Sequence, residues 1–203
     1  MIELADLRLS GDPGSFYADV LGLPADGDSI RIGASRLAFS GEGAAFYHFA
    51  FLVPGDRFSA AEAWAAERTE LLATIPFPAW DARACYFHDP AGNIVELIAH
   101  ADIGAAGHNG AFAAGELLAI SEIGLVGVGP GELEAFGLPA WDRFDPLAFC
   151  GRKGHTLITT PVGRGWLPTD RPAEVFPTEV GVRGIPEGEL RPDGLPYVVR
   201  GLG

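Results

Sequence analysis

The sequence predicts an α+β fold built from repeated units, each a strand, a helix and two or three further strands. Three observations carry this prediction. A four-residue pattern, polar then apolar, variable and apolar, recurs at Asp6-Leu7-Arg8-Leu9, His48-Phe49-Ala50-Phe51, Glu122-Ile123-Gly124-Leu125 and Glu179-Val180-Gly181-Val182. Each copy reads as a strand with two apolar residues on one face and the opening polar residue on the other. A second echo, Leu21-Gly22-Leu23-Pro24-Ala25 and Phe136-Gly137-Leu138-Pro139-Ala140, follows the first and third copies at similar distances and marks a helix stopping at Gly before Pro. Repetition of both features points to divergent copies of one supersecondary unit. The third observation is the stretch Tyr86–Ala99. Asp89-Pro90-Ala91-Gly92 has turn chemistry, and its aromatic and β-branched flanks pair as a hairpin.

Taken in order, the first unit has a strand at Asp6, a short helix around Gly14 to Leu21, and strands near Ser29–Ile32 and Arg36–Phe39. The second opens at His48. Its helix begins at the capping box Ser59-Ala60-Ala61-Glu62 and continues through Trp64, Ala65, Arg68, Leu71 and Leu72. The third has a strand over Ile120–Val128, a short helix near Leu133–Phe136, and strands around Arg143–Cys150 and Thr156–Thr160. The fourth is degraded to a strand near Val180–Arg183, a Pro/Gly-rich passage and a last strand at Tyr197–Arg200. Gly/Ala-rich residues 104–114 read as a linker between a half at 1–103 and a divergent half at 115–203.

Composition narrows the function. The 203 residues, 48% hydrophobic, suffice for a sizeable core. A net charge of −13 argues against nucleic acid and against anionic membranes, since both demand a basic surface. No apolar run approaches membrane-spanning length. The chain opens directly on a strand-like segment, and Cys85 and Cys150 suggest neither a disulfide framework nor a Cys-based metal site, so a reducing cytoplasm is the expected home. No Ser/His/Asp triad, P-loop or Rossmann fingerprint is present.

Chemistry centres on Glu96. A carboxylate among Ile94, Val95, Leu97 and Ile98 must be paired, hydrogen-bonded or metal-bound. A salt bridge from Arg8 or Arg36 is one resolution, and a metal is the other. His48, within an apolar strand, is either a hydrogen-bonded core residue or a ligand. His88 flanks the turn and is placed on the rim. His100, His108 and His155 have no partner pattern and are assigned to the surface. Both cysteines, in apolar strand contexts, read as inert core thiols.

These features resemble the vicinal oxygen chelate superfamily, which includes glyoxalase I, extradiol dioxygenases and bleomycin-resistance proteins. The resemblance rests on Phe16-Tyr17-Ala18-Asp19-Val20-Leu21-Gly22-Leu23, His48-Phe49-Ala50-Phe51, Asp89-Pro90-Ala91-Gly92-Asn93-Ile94-Val95-Glu96-Leu97 and Glu122-Ile123-Gly124-Leu125. It implies paired βαβββ modules whose curved sheets enclose a cleft with a metal on its floor. Carried over by motif, the implied metal ligands are Asp6, His48 and Glu96, with Glu3 competing for the first position if that strand slips by a residue. An imidazole with two carboxylates suits a divalent Fe, Mn, Mg or Zn ion. The second half looks ligand-poor, because Ile158 and Val198 fall where Glu96 stands in the first.

The function expected from the resemblance is Lewis-acid chemistry, in the lyase, isomerase or dioxygenase class, on a small molecule with neighbouring oxygens. The alternative is a metal-free protein of the bleomycin-resistance kind that sequesters a ligand, for which the acidic surface suits a cationic guest. Trp80, Tyr86 and Arg83 are the expected substrate-binding residues, and Tyr47, Phe77 and Trp166 are further candidates for the cleft wall. A monomer or homodimer is expected.

Overall fold

The computed structural model describes residues 1–41 and 43–203. Among these, strands β1 (Glu3–Leu9), β2 (Ala25–Asp26), β3 (Ser29–Ile32) and β4 (Ser35–Phe39) form the first module. Strands β5 (His48–Val53), β6 (Leu71–Phe77), β7 (Ala82–His88) and β8 (Ile94–His100), with helix α1 (Phe58–Ala66), form the second. The third contains β9 (Ala119–Val126), α2 (Pro130–Ala135), β10 (Ala140–Phe144), β11 (Leu147–Arg152) and β12 (His155–Thr160). A short ladder of β13 (Gly165–Trp166) and β14 (Arg171–Pro172) follows, and β15 (Thr178–Arg183), β16 (Gly188–Leu190) and β17 (Tyr197–Gly201) complete the chain. This is the α+β fold of paired βαβββ modules.

The modules pair across the two halves of the chain. The second and third join through β5 and β9 into an eight-stranded sheet of order β10-β11-β12-β9-β5-β8-β7-β6. The first and fourth join through β1 and β15 into a seven-stranded sheet of order β16-β17-β15-β1-β4-β3-β2. The segment that leads from β8 to β9 is held by the buried Arg57. Its guanidinium donates to the carbonyls of Gly110 and Ala111, both at 3.1 Å, and pairs with Glu116 at 2.8 Å.

Strand alternation sorts the side chains. Phe49, Phe51 and Val53 of β5, Val95 and Leu97 of β8, and Ile123 and Leu125 of β9 enter a core that also receives Leu7 and Leu9 of β1 and the buried face of α1. The opposite faces of β5, β7, β8 and β9 turn toward a second cluster containing Ala50, Ala84, Tyr86, Ile98 and Val126. The two sheets are stitched together at β1. Ser35 Oγ donates to the Leu4 carbonyl at 2.5 Å and accepts from the Ile120 amide at 2.9 Å, while the Leu4 amide donates to His155 Nδ1 at 3.2 Å.

Several local expectations change. The first helix is a single π-type turn at Phe16–Val20. Ser59 is not an N-cap: α1 starts one residue earlier, at Phe58, and Ser59 and Glu62 instead face Arg83 and Thr74 of the neighbouring hairpin. α1 ends at Ala66, and Leu71 and Leu72 already belong to β6. The segment Arg143–Cys150 is two strands, because Asp145-Pro146 turns the chain between β10 and β11. His100 and His155 are buried rather than on the surface, at 0% and 5% exposure, whereas His108 is exposed.

Candidate metal centre

The hairpin turn fixes the start of β5. Gly92, at φ +84°, lets its amide return to the Asp89 carbonyl at 2.9 Å. The Asp89 carboxylate then accepts from the Asn93 amide at 2.9 Å, from Asn93 Nδ2 at 2.7 Å and from the Tyr17 hydroxyl at 2.7 Å. Asn93 Oδ1 accepts from the Tyr47 amide at 2.8 Å, and the Ile94 amide donates back to the Tyr47 carbonyl at 2.8 Å. His48 is the next residue. The first-helix motif and the turn motif therefore meet at Tyr17–Asp89, and together they set the register that brings His48 beside β8.

That register pairs His48 with Ile94 and Ala50 with Glu96 across the parallel β5–β8 ladder. Across the antiparallel β5–β9 seam, Ala50 faces Glu122. His48, Glu96 and Glu122 consequently project from one face of three adjacent strands. Their ligand atoms lie within 4.8 Å of one another, and all three side chains are buried. His48 Nε2 is 3.2 Å from Glu96 Oε2. Glu122 Oε1 and His48 Nδ1 are buried without a hydrogen-bond partner among the described residues.

The electrostatics follow from that crowding. Burial and then the neighbouring Glu96 charge hold the Glu122 carboxyl well above the usual carboxylate range. Tyr86 stands opposite Glu96 in the β7–β8 ladder. Burial first, then the Glu96 and Glu122 charges, raise the Tyr86 phenol, so it stays protonated. A buried imidazole beside two buried carboxylates, with a carboxylate oxygen unpaired, is a donor set that fits a divalent cation.

Asp6 does not join this group. It sits in β1, in the other sheet, opposite Gly181 and Arg36. The place beside His48 and Glu96 is taken by Glu122, which opens the third module as His48 opens the second. Its signal in the sequence is the polar opening position of the repeated four-residue pattern. The register also settles the equivalents of Glu96. Gly124 pairs with Ile158 and Gly181 with Arg200, so Ile158 and Arg200, rather than Val198, occupy the matching positions.

The cluster forms the floor of a cavity of about 530 Å³. Trp80 and Tyr86 line it, as do Phe77, Phe149 and Trp166, whereas Tyr47 lies outside it. Arg83 also lies outside. It points to the α1 side of β7, with its guanidinium 4.3 Å from the Phe58 ring centroid. His88 is exposed at the hairpin rim. Trp166 is brought over the cluster by the β13–β14 strap and stacks on His48, with ring centroids 5.0 Å apart. Gly124 makes that possible, because a Cβ there would lie 2.5 Å from the Trp166 ring. Cys85 and Cys150 are free, buried thiols, pushed up to about 12 and about 11 chiefly by burial.

No helix among the described residues is long and apolar enough to cross a membrane. No family model matches the sequence, and no curated protein does. Solved structures do match. A protein of Bacillus subtilis subsp. subtilis str. 168 carrying a provisional dioxygenase name is 16% identical over 90% of this chain and 70% of its own, with TM-score 0.60. Glyoxalase I from Zea mays is 15% identical over 90% of this chain and 75% of its own, with TM-score 0.52. A variant of the maize enzyme, 13% identical, covers 98% of this chain and 94% of its own, with TM-score 0.57. At these identities the likeness establishes the fold.

Proposed function

We propose, from the vicinal oxygen chelate fold those likenesses establish and the buried cluster this chain places on it, a divalent-metal-dependent enzyme acting on a small molecule with neighbouring oxygens. The single observation that carries the proposal is the convergence of His48, Glu96 and Glu122, buried and within 4.8 Å of one another, with Glu122 Oε1 left unpartnered. These three residues would hold the ion. One nitrogen and two carboxylate donors suit Fe²⁺, Mn²⁺, Mg²⁺ or Zn²⁺. Bound there, the ion would supply Lewis-acid polarisation of substrate oxygens, in the lyase, isomerase or dioxygenase class.

The chain's own residues supply the rest. Tyr86, paired across the ladder with Glu96, lines the cavity beside it and keeps its phenol protonated there. Trp166 covers the His48 ring and excludes water from it. Trp80 is fixed in the opposite wall by its indole N–H on Asp142 Oδ2, at 2.5 Å. Ile158 occupies the position that mirrors Glu96, so the protein offers three ligands and leaves the remaining coordination positions to substrate.

A metal-free cleft that only sequesters a guest is less well supported. It leaves two buried carboxyl groups side by side, with a proton on Glu122 as the offset and Glu122 Oε1 without a partner. Equilibrium dialysis of chelator-stripped protein against Mn²⁺, Fe²⁺, Mg²⁺ and Zn²⁺ separates the two readings. We expect one ion per chain, lost in His48→Ala. Failure to bind any of the four ions, or retention of the ion by His48→Ala, sinks the proposal.

A further inference from the structure

We propose that the substrate is a flat, apolar molecule bearing an anionic group in addition to its chelating oxygens, and that Arg164 holds the anion. The oxygen end of this inference rests on the metal-dependent reading above; the anion end stands on separate observations.

Outside the metal cluster, three charged residues line the cavity: Asp142, Arg143 and Arg164. Two are already engaged. Asp142 accepts from the Trp80 indole and from the Arg143 amide, at 2.8 Å for the latter. The Arg143 guanidinium is ion-paired with Glu134. Arg164 has no carboxylate within ion-pair distance among the described residues. Its side chain makes one direct bond there, from Nη1 to the Gly165 carbonyl at 2.9 Å. A guanidinium has five N–H donors in a planar fork suited to a carboxylate. In a chain with 27 acidic residues and 14 basic ones, an arginine left without an acid inside a cavity runs against the composition.

The backbone carrying Arg164 is held in place. Its carbonyl accepts from the Ala173 amide at 2.8 Å, and the Gly163 amide donates to the Ala173 carbonyl at 2.8 Å. Arg171, farther along the same strap, lies over the Phe46 ring at 3.3 Å from its centroid and donates to the Gly92 carbonyl at 3.1 Å. The strap is thus pinned to the hairpin turn that positions His48, and Arg164 and Trp166 enter the cavity together. The walls explain why the body is flat and apolar. Trp80 and Phe149 meet edge to face at 4.7 Å, and Trp166 stacks on His48, leaving ring faces and edges as the main contact surfaces. Among the described residues the one charge in the wall without a charged partner is positive, which reverses the cationic guest suggested by the net charge of −13.

A matched pair of probes tests this. Binding of 3,4-dihydroxyphenylacetate and of neutral 4-methylcatechol is measured by quenching of tryptophan fluorescence, on Mn²⁺-loaded and on EDTA-stripped protein. The anionic probe should bind about 10-fold tighter in both states, as one charge-assisted contact allows. Arg164→Gln should erase the preference by weakening only the anionic probe, and Arg164→Lys should keep much of it, which separates lost charge from lost fold. Equal affinity for the two probes in the wild type, or a preference that survives Arg164→Gln, overturns the inference. Mn²⁺ should strengthen both probes alike. If that strengthening is missing while the anionic preference remains, the metal reading fails and the Arg164 site stands.

Discussion

The two sheets carry the same positions with opposite contents. In the eight-stranded sheet the opening positions hold His48 and Glu122, Glu96 projects from the strand on the other side of β5, and the His48 and Glu96 side chains are only 6% and 4% exposed. In the seven-stranded sheet the opening positions hold Asp6 and Glu179, and that sheet pairs several of its carboxylates, Glu179 among them, with arginines. Arg200 binds Glu179 at 2.6 Å and Glu189 at 3.1 Å, with side chains about two-fifths exposed. Arg36 reaches Asp26 at 3.2 Å, and Arg8 reaches Asp28 at 3.0 Å. Solvent access and counter-charge make the difference. Exposed carboxylates beside arginines form pairs contributing roughly 0–1 kcal/mol each. Carboxylates under aromatic rings with no arginine need a cation or a proton. One scaffold position thus yields a buried cluster of one imidazole and two carboxyl groups in one sheet and an ion-paired surface in the other.

The contrast can be broken most sharply by exchanging carboxylates for amides. Glu122→Gln should weaken Mn²⁺ binding by about 100-fold or more, the scale on which metal sites respond to damaged coordination. Glu179→Gln, at the matching position, should leave it unchanged. Isothermal titration reads both, and equal effects would erase the distinction between the sheets.

Glycines sharpen it further. Gly124→Ala drives a Cβ to 2.5 Å from the Trp166 ring, and we expect a loss of about 1–3 kcal/mol in urea unfolding as the strap is displaced. Gly181→Ala is its counterpart. There a Cβ meets Asp6 Oδ2 at 3.0 Å and Leu202 Cδ1 at 3.2 Å, contacts that give more easily, so a smaller loss is expected.

The buried histidines should respond to acid. Burial first, then the charges of Lys153 and Arg152 respectively, lower His100 and His155 to about 4. Each is neutral in the fold and protonated below its ordinary value in the unfolded chain. The stability this represents is present above pH 6.5 and lost as pH falls toward 4. A loss of about 1–2 kcal/mol per histidine at pH 5 is expected. His155→Gln should remove its share of the pH dependence, and an unchanged pH profile would count against the buried neutral state.

The smallest effect belongs to the arginine side. Arg200→Ala should cost under about 1 kcal/mol, and less at high salt, because its partners face solvent. A larger, salt-independent loss would mean that the seven-stranded sheet depends on its ion pairs.

Much of the fold was legible because its signals are local. The turn Asp89–Gly92, the four opening patterns and the Gly-Leu-Pro helix stops each declare themselves within a few residues. Glu96 and His48 were legible as ligand candidates for the same reason. What could not be read was which module pairs with which. Asp6 and His48 hold equivalent places in neighbouring modules, and the ligand set carried over from the family resemblance implied that they meet. The edge-to-edge joining of β5 with β9 and of β1 with β15 is a long-range choice, and it sends Asp6 into one sheet and gives His48 Glu122 instead. Arg83 shows a finer limit. Its place near Trp80 was evident, but strand alternation turns its side chain to the α1 face, and Arg164 reaches the cavity from a strap far along the chain.

The most direct measurement is anomalous diffraction from crystals of the chain soaked in Mn²⁺. The account predicts one strong anomalous peak per chain, bounded by the side chains of His48, Glu96 and Glu122. The absence of a peak there, or a peak on the Asp6 and Glu179 side instead, would contradict it.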